Sequence, residues 1–182
     1  RDRTEALARL RWALTRTVVV IEGGTTNRSF LLSLLDSAAL RNGDVDNHWL
    51  DGFTASGAHV APAEPIAVLM AAIEAYDADE VVMRSAFHAG ARRGRPDDPG
   101  SAGHRTTLRY RGCAHNIAVF RTRPEAYLIE SDNAAIEAGV RRFGPYERRL
   151  TVAGRTYHVV VSTQRSSFLV DVDNTTHRVQ RD

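Results

Sequence analysis

Lysine is absent from the 182-residue sequence, so all 24 basic side chains are arginine. This absence excludes chemistries that depend on a lysine amine, such as phosphate binding by a P-loop and Schiff-base catalysis. Arginine cannot replace the amine as a proton acceptor, because its pKa lies above about 12. Against 22 acidic residues, the arginines leave a formal net charge of only +2.

Cysteine and long apolar runs are almost as scarce. The single cysteine, Cys113, can form neither an internal disulfide nor a multi-thiolate metal site, which favours a reducing, cytoplasmic location. No stretch approaches the roughly 18 apolar residues of a membrane span, and the first residues resemble no signal peptide. We therefore expect a soluble fragment of a longer protein, without a membrane partner.

Recognisable sites for nucleic acid, metal or catalysis are also lacking. Arg92, Arg93 and Arg95 could bind phosphate, but Asp97 and Asp98 follow them and no aromatic residues interleave. The seven histidines show no paired spacing of metal ligands. None of Ser29, Ser33 and Cys113 has a nearby base with an orienting partner, so none is predicted to be a nucleophile. The sequence predicts no nucleic-acid partner and no catalytic, cofactor-binding or metal residue.

Residues 1–56 read as a small unit of helices with one strand. Helices are predicted over 4–14, around the apolar residues 30–35, and after Asp46, where Trp49, Leu50 and Phe53 should be buried. The β-branched run 17–21 predicts a buried strand. The glycines that follow it could open an anion site before a helix, but a structural turn is favoured since no lysine or full glycine fingerprint is present. A polar, small-residue linker places a boundary near Gly57.

Residues 57–182 begin with a long helix over about 63–87, for which the acidic run 77–80 is a candidate interruption. A mobile loop is expected over about 88–104, because it is rich in Gly, Pro, Arg and Asp. The apolar period then changes to two, which predicts a barrel over about 105–181. Its eight strands are predicted over 105–111, 114–121, 125–131, 134–142, 146–152, 155–162, 167–172 and 175–180.

Eight successive antiparallel strands with tight turns favour a closed meander, because closure removes exposed strand edges. The predicted fold class is α+β: a small helical and strand-containing tail, then a long helix packed in or against an eight-stranded antiparallel β-barrel.

An ordered set of short motifs resembles one known family. The motifs are RDRTEA at 1–6, LRWAL at 10–14, TN at 26–27, FL at 30–31, LL at 34–35, RNGDVD at 41–46 and WLD at 49–51. Together they resemble the C-terminal end of the biotin carboxylase domain of biotin-dependent acyl-CoA carboxylases (acetyl, propionyl and long-chain types). Asp36 and Ser37 depart from the His-Pro that commonly follows the Leu-Leu pair in that family.

Residues 58–182 are similar to the module that joins biotin carboxylase to carboxyltransferase in these enzymes, the BT domain. The local motif VAGRTY at 152–157 contributes, but the order of long helix and eight strands carries more of the likeness. The resemblance implies a parent enzyme, a ligase of fatty acid metabolism, that uses biotin, ATP and a divalent metal and is a homo- or hetero-oligomer. It implies none of their binding residues here, because those lie outside the matched stretches and biotin attachment needs a lysine.

Two function classes follow. In the first, the chain is a non-catalytic assembly module whose partners are the biotin carboxylase and carboxyltransferase domains or subunits, so that tethered biotin can shuttle between them. Arg92, Arg93 and Arg95 are the candidate partner contacts, since arginine is enriched at interfaces, although a tolerated surface insertion explains the loop equally well. In the second, the barrel binds a small ligand in its lumen. If the long helix packs inside the barrel, no room is left for a ligand, so a filled or an empty lumen discriminates between the two hypotheses.

Overall fold

The computed structural model describes residues 2–21, 24–57, 59–60, 64–91, 103–131 and 134–182. The chain divides into two compact units, one comprising Arg1–Ala63 with Asn174–Thr176 and the other Glu64–Asp173 with His177–Asp182. No helix among the described residues is both long enough and apolar enough to cross a membrane.

The first unit contains a helix at each of the three predicted places and a further short helix over 38–42, which was not predicted. The four helices are α1 (Arg3–Arg16), α2 (Arg28–Asp36), α3 (Ala38–Asn42) and α4 (Trp49–Ala55). The Asp2 carboxylate caps α1 by accepting the Glu5 N–H at 2.7 Å. Gly43 ends α3 in the left-handed region, at φ 87°. The arginine side chain of Arg16 lies over the exposed ring of Trp12.

The predicted buried strand over 17–21 is wrong. These residues are not assigned to a strand, and Val18, Val19 and Ile21 are exposed. A β-branched run becomes a strand only where a neighbour pairs with it, and the described part of 2–57 holds no strand. None of Trp49, Leu50 and Phe53 is buried as predicted: Leu50 is exposed, and Trp49 and Phe53 pack together but are only half-buried.

The second unit opens with α5 (Pro65–Ala91), which continues without a break through the acidic run and ends four residues later than predicted. Eight strands follow and close into a barrel in sequence order, with the last strand pairing with the first. They are β1 (His104–Tyr110), β2 (Cys113–Arg123), β3 (Ala126–Ser131), β4 (Ala134–Phe143), β5 (Glu147–Val152), β6 (Arg155–Gln164), β7 (Ser167–Val172) and β8 (Thr175–Arg181). Each end lies within two residues of its prediction, so the antiparallel barrel is confirmed.

Tight turns explain why the strand divisions were readable. Asp173 and Asn174 both have positive φ, as do Ala153 and Gly154. Two consecutive residues of positive φ form the turn whose twist matches that of a β-hairpin. Each such turn sets the register of the strands on either side of it.

The first half of α5 occupies the interior of the barrel. Every residue from Ile66 to Ile73 is buried, and eight consecutive buried positions cover all faces of a helix with 3.6 residues per turn. Its core cluster is shared with inward-facing strand residues such as Leu108, Val140 and Val170. Several alanines in this half allow the strands to approach closely. The helix thus fills the volume in which a luminal ligand would lie.

Candidate functional site

The site begins with four carboxylates on α5, just beyond its enclosed half: Glu74, Asp77, Asp79 and Glu80. Their side chains are only 14–20% exposed. Carboxylates this sheltered need charged partners, because burial removes their hydration. The barrel supplies those partners.

Four arginines meet the helix where it leaves the barrel, and we call them the arginine collar: Arg121 of β2, Arg142 of β4, Arg148 of β5 and Arg181 of β8. Each comes from a different strand and pairs with at least one of the four carboxylates. The collar therefore connects four of the eight strands to about two turns of helix.

Arg148 is the most buried member of the collar, with its side chain 8% exposed. It holds Glu74 with two bonds, Nε to Oε1 at 2.7 Å and Nη2 to Oε2 at 3.3 Å. Its other N–H groups donate to the carbonyls of Gly144, Pro145 and Glu147 at 3.1 Å each. All five donors are thereby used, which is the condition under which a buried guanidinium is tolerated.

Asp77 is the centre of the network. Arg121 and Arg142 both pair with it, and the Tyr127 hydroxyl donates to its two oxygens at 3.1 and 3.0 Å. Burial raises the pKa of Tyr127, against the opposing effect of its hydrogen bond to Arg142. Arg121 reaches Glu80 as well, at 2.7 Å.

Asp79 is the partner of the remaining collar arginine, Arg181 of β8. Arg181 binds it with both terminal nitrogens, at 2.9 and 2.5 Å, and His104 Nε2 lies 2.6 Å from Oδ2. The hydrogen bond to Asp79, with its charge, raises the pKa of Arg181. Every collar guanidinium pairs with a carboxylate of α5, so the collar fixes the helix at the rim of the barrel. Among the described residues, Arg121 Nε is the one collar nitrogen that is buried without a hydrogen-bond partner.

Beyond the collar, α5 projects with apolar residues in solvent. Val81, Val82, Met83 and Phe87 are exposed by 65, 67, 40 and 41%. Large apolar side chains exposed together on one helix make this segment a candidate interaction surface. We call residues 81–91 the projecting end of α5.

A buried polar pair lies at the start of α5. The Tyr110 hydroxyl accepts the Glu64 N–H at 3.1 Å and forms a second hydrogen bond with His177 Nδ1 at 2.9 Å. His177 is 4% exposed, and its Nε2 has no hydrogen-bond partner among the described residues. Burial, and then the charge of Arg111, lowers the pKa of His177.

The predicted partner contacts Arg92, Arg93 and Arg95 lie outside the described residues. The first part of the predicted loop, residues 88–91, belongs to α5 instead. The sequence prediction missed the collar, the projecting end and the Tyr110–His177 pair. Arginines at inward strand positions, such as Arg148 before Leu150, are the signal that could have indicated the collar.

Other candidate residues do not assemble into a site. Cys113 is exposed at the start of β2. Within the described ranges, no three His, Cys, Asp or Glu side chains are grouped so as to hold a metal ion. Near the predicted glycine turn, Thr26 Oγ1 accepts the backbone N–H of Arg28 at 3.5 Å. The Arg28 guanidinium donates to the carbonyls of Leu14 and Thr17, at the C-terminal end of α1.

The amino-acid sequence matches no protein-family model and no curated protein.

Proposed function

We propose that this chain is a non-catalytic assembly module of a multidomain biotin-dependent acyl-CoA carboxylase. In that role it docks the biotin carboxylase to the carboxyltransferase, and tethered biotin visits both active sites. The motif order in residues 1–51 and the order of helix and strands in 63–181 support the family part of the proposal.

The observation that carries the assembly role is the projecting end of α5. One half of this helix is enclosed by the barrel, the collar fixes it at the rim, and the other half exposes Val82 and Phe87 to solvent. A rigid helix pays little conformational entropy when it binds, which suits a docking element. A luminal ligand is disfavoured, since residues 66–73 take up the interior.

The test uses the full-length protein with Val82→Glu and Phe87→Glu together. Buried charges without partners are costly at an interface, so assembly measured by sedimentation velocity and the overall carboxylation rate should both fall by tenfold or more, about 1.4 kcal/mol at least. Gln180→Glu on the exposed outer face of β8 is the control and should change neither. Wild-type assembly in the double variant would refute docking through α5.

A second test addresses the predicted loop contacts. Replacing Arg92, Arg93 and Arg95 with alanine in the full-length protein should weaken the same assembly, because arginine pairs with carboxylates in a bidentate geometry. Unchanged sedimentation and carboxylation would mean that this segment only connects α5 to the barrel.

The isolated 182-residue chain should show no biotin-dependent ATP turnover, and detectable turnover would contradict the non-catalytic assignment.

A further inference from the structure

The outer face of β4 and β5 carries two arginines directly opposite each other. Arg141 and Arg149 are register partners, and both are exposed. Like charges at directly opposed positions of an antiparallel pair destabilise the sheet. A pair of this kind therefore calls for a compensating negative charge.

The inward-facing neighbours show how the same strands solve this problem. Arg142 and Arg148 are also register partners, and there the carboxylates of α5 neutralise both guanidiniums. Among the described residues, by contrast, neither Arg141 nor Arg149 forms an ion pair. The outer pair has its compensating charge neither from the helix nor from a neighbouring strand.

An exposed aromatic ring organises the outer pair. The guanidinium carbons of Arg141 and Arg149 lie 5.7 and 5.1 Å from the centre of the Phe143 ring, which is itself 46% exposed. Stacking on an aromatic face holds the two guanidiniums in place and leaves their N–H groups for a ligand. Glu147 lies opposite Phe143 but is directed to His158, at 3.7 Å.

A groove of about 840 Å³ lies beside the arginine pair, over β3, β4 and β5 and the end of β2, and the two arginines themselves do not line it. Gly139 and Thr151, which are register partners two positions from Arg141 and Arg149, line it on the same face. The charged residues of its lining are Arg123 and Glu137. The remaining lining residues are mostly small: Thr122, Ala126, Tyr127, Ala135, Ile136, Ala138, Ala153 and Gly154. The surface thus combines a doubly positive end with a groove lined mainly by small residues.

We propose that this outer face of β4 and β5 binds an extended, acidic segment of a partner protein. The carboxylates of the segment pair with Arg141 and Arg149, and its adjoining small apolar side chains lie in the groove over Gly139. Bidentate pairing with two fixed guanidiniums gives the contact its charge specificity. This face is separate from the projecting end of α5, so either surface can fail its test without the other.

The probe is a short fluorescein-labelled peptide in which two glutamates precede an apolar half, measured by fluorescence anisotropy. Arg141→Glu with Arg149→Glu should lower its affinity by about tenfold or more, since each close like-charge contact opposes binding. Arg105→Glu with Arg178→Glu, on exposed outer positions of β1 and β8, makes the same change in net charge and should alter the affinity by less than about twofold.

Gly139→Leu tests the groove independently of charge. A Cβ at this position would meet its nearest neighbours, Glu125 O and Thr151 Cβ, at 3.8 and 3.9 Å, so a β-carbon is accommodated, and the rest of the leucine is expected to extend into the groove. Peptide affinity should fall in this variant while circular dichroism stays as in wild type. If the double glutamate variant fails to fold, Arg141→Met with Arg149→Met removes the charges and should also weaken binding.

Four results would overturn the proposal. The first is absence of binding up to about 1 mM peptide, and the second is an equal loss of peptide affinity in the Arg105 and Arg178 control. The third is equal binding of a peptide with glutamines in place of its glutamates. The fourth is tighter binding of a thymidine oligonucleotide than of the peptide. The last result would identify the face as a nucleic-acid surface instead.

Discussion

The two halves of α5 have similar apolar residues and opposite surroundings. Ile66, Met70 and Ile73 are buried on all sides by the barrel, whereas Val82 and Phe87, on the same helix, are in solvent. Between them lie the carboxylates that pair with the collar. Residues 66–73 are apolar at every position, whereas Arg84, Ser85 and His88 interrupt the apolar residues of the projecting end, and the ion pairs lie at the boundary between the two halves.

The largest effect should come from breaking the collar at its most buried member. Arg148→Met leaves Glu74 without its main partner, and loss of one side of a buried pair costs about 3–5 kcal/mol. Arg149→Met is the matched control, because it is the next residue and faces outward; its cost should stay below about 0.5 kcal/mol. Urea denaturation measures both, and equal losses would show that Glu74 does not depend on Arg148.

The enclosed half of α5 can be compared directly with the projecting half. Ile73→Ala removes a fully buried side chain and should lower the free energy of unfolding by about 2–5 kcal/mol. Val82→Ala truncates a side chain that is 67% exposed and should cost less than about 0.5 kcal/mol. A small loss for Ile73→Ala in urea denaturation would contradict the enclosed position of the helix.

The sequence predicted the barrel closely because its signals are local. Apolar residues recur at every second position, as in Phe168, Val170 and Val172, all of which are buried, and turns such as Ala153–Gly154 interrupt this period. The collar was not predictable in the same way. Arg148 and Glu74 are 74 positions apart, so their contact depends on the barrel register and on how far the helix enters.

The strand predicted over 17–21 was wrong for a similar reason, because strand pairing also depends on residues that are distant in the sequence. Its β-branched residues favour an extended chain, and Thr17 does have extended φ and ψ, but propensity cannot supply the partner strand that hydrogen bonding requires. Extended conformation was therefore readable from the sequence, while pairing and burial were not. Leu50 illustrates the same limit, since an apolar residue at helical spacing can still face solvent.

Tyr110→Phe should have an intermediate effect at the start of α5. It removes the hydroxyl that joins the Glu64 N–H to His177, and a buried polar group left unpaired costs about 1–3 kcal/mol. Tyr157→Phe, on an inward position of β6 and only partly buried, is the control for loss of a hydroxyl alone. Equal losses in the two variants would mean that the Glu64–Tyr110–His177 chain adds nothing.

The smallest effect concerns pH and also involves the start of α5. Burial lowers the pKa of His177 in the folded protein, so the unfolded chain binds more protons just below its ordinary pKa of about 6.5. The contribution of this residue to stability is therefore complete above about pH 6.5 and is lost as the pH falls toward the folded pKa, with a slope of at most about 1.4 kcal/mol per pH unit. His177→Asn keeps an acceptor near the Nδ1 position but cannot titrate, so the difference in unfolding free energy between wild type and variant should shrink as the solution is acidified. His48→Asn, at an exposed position of the first unit, should leave the pH dependence of wild type unchanged. If the difference in unfolding free energy between wild type and His177→Asn does not change with pH, the Tyr110 contact does not require a neutral histidine. The start of α5 would then be fixed by packing alone.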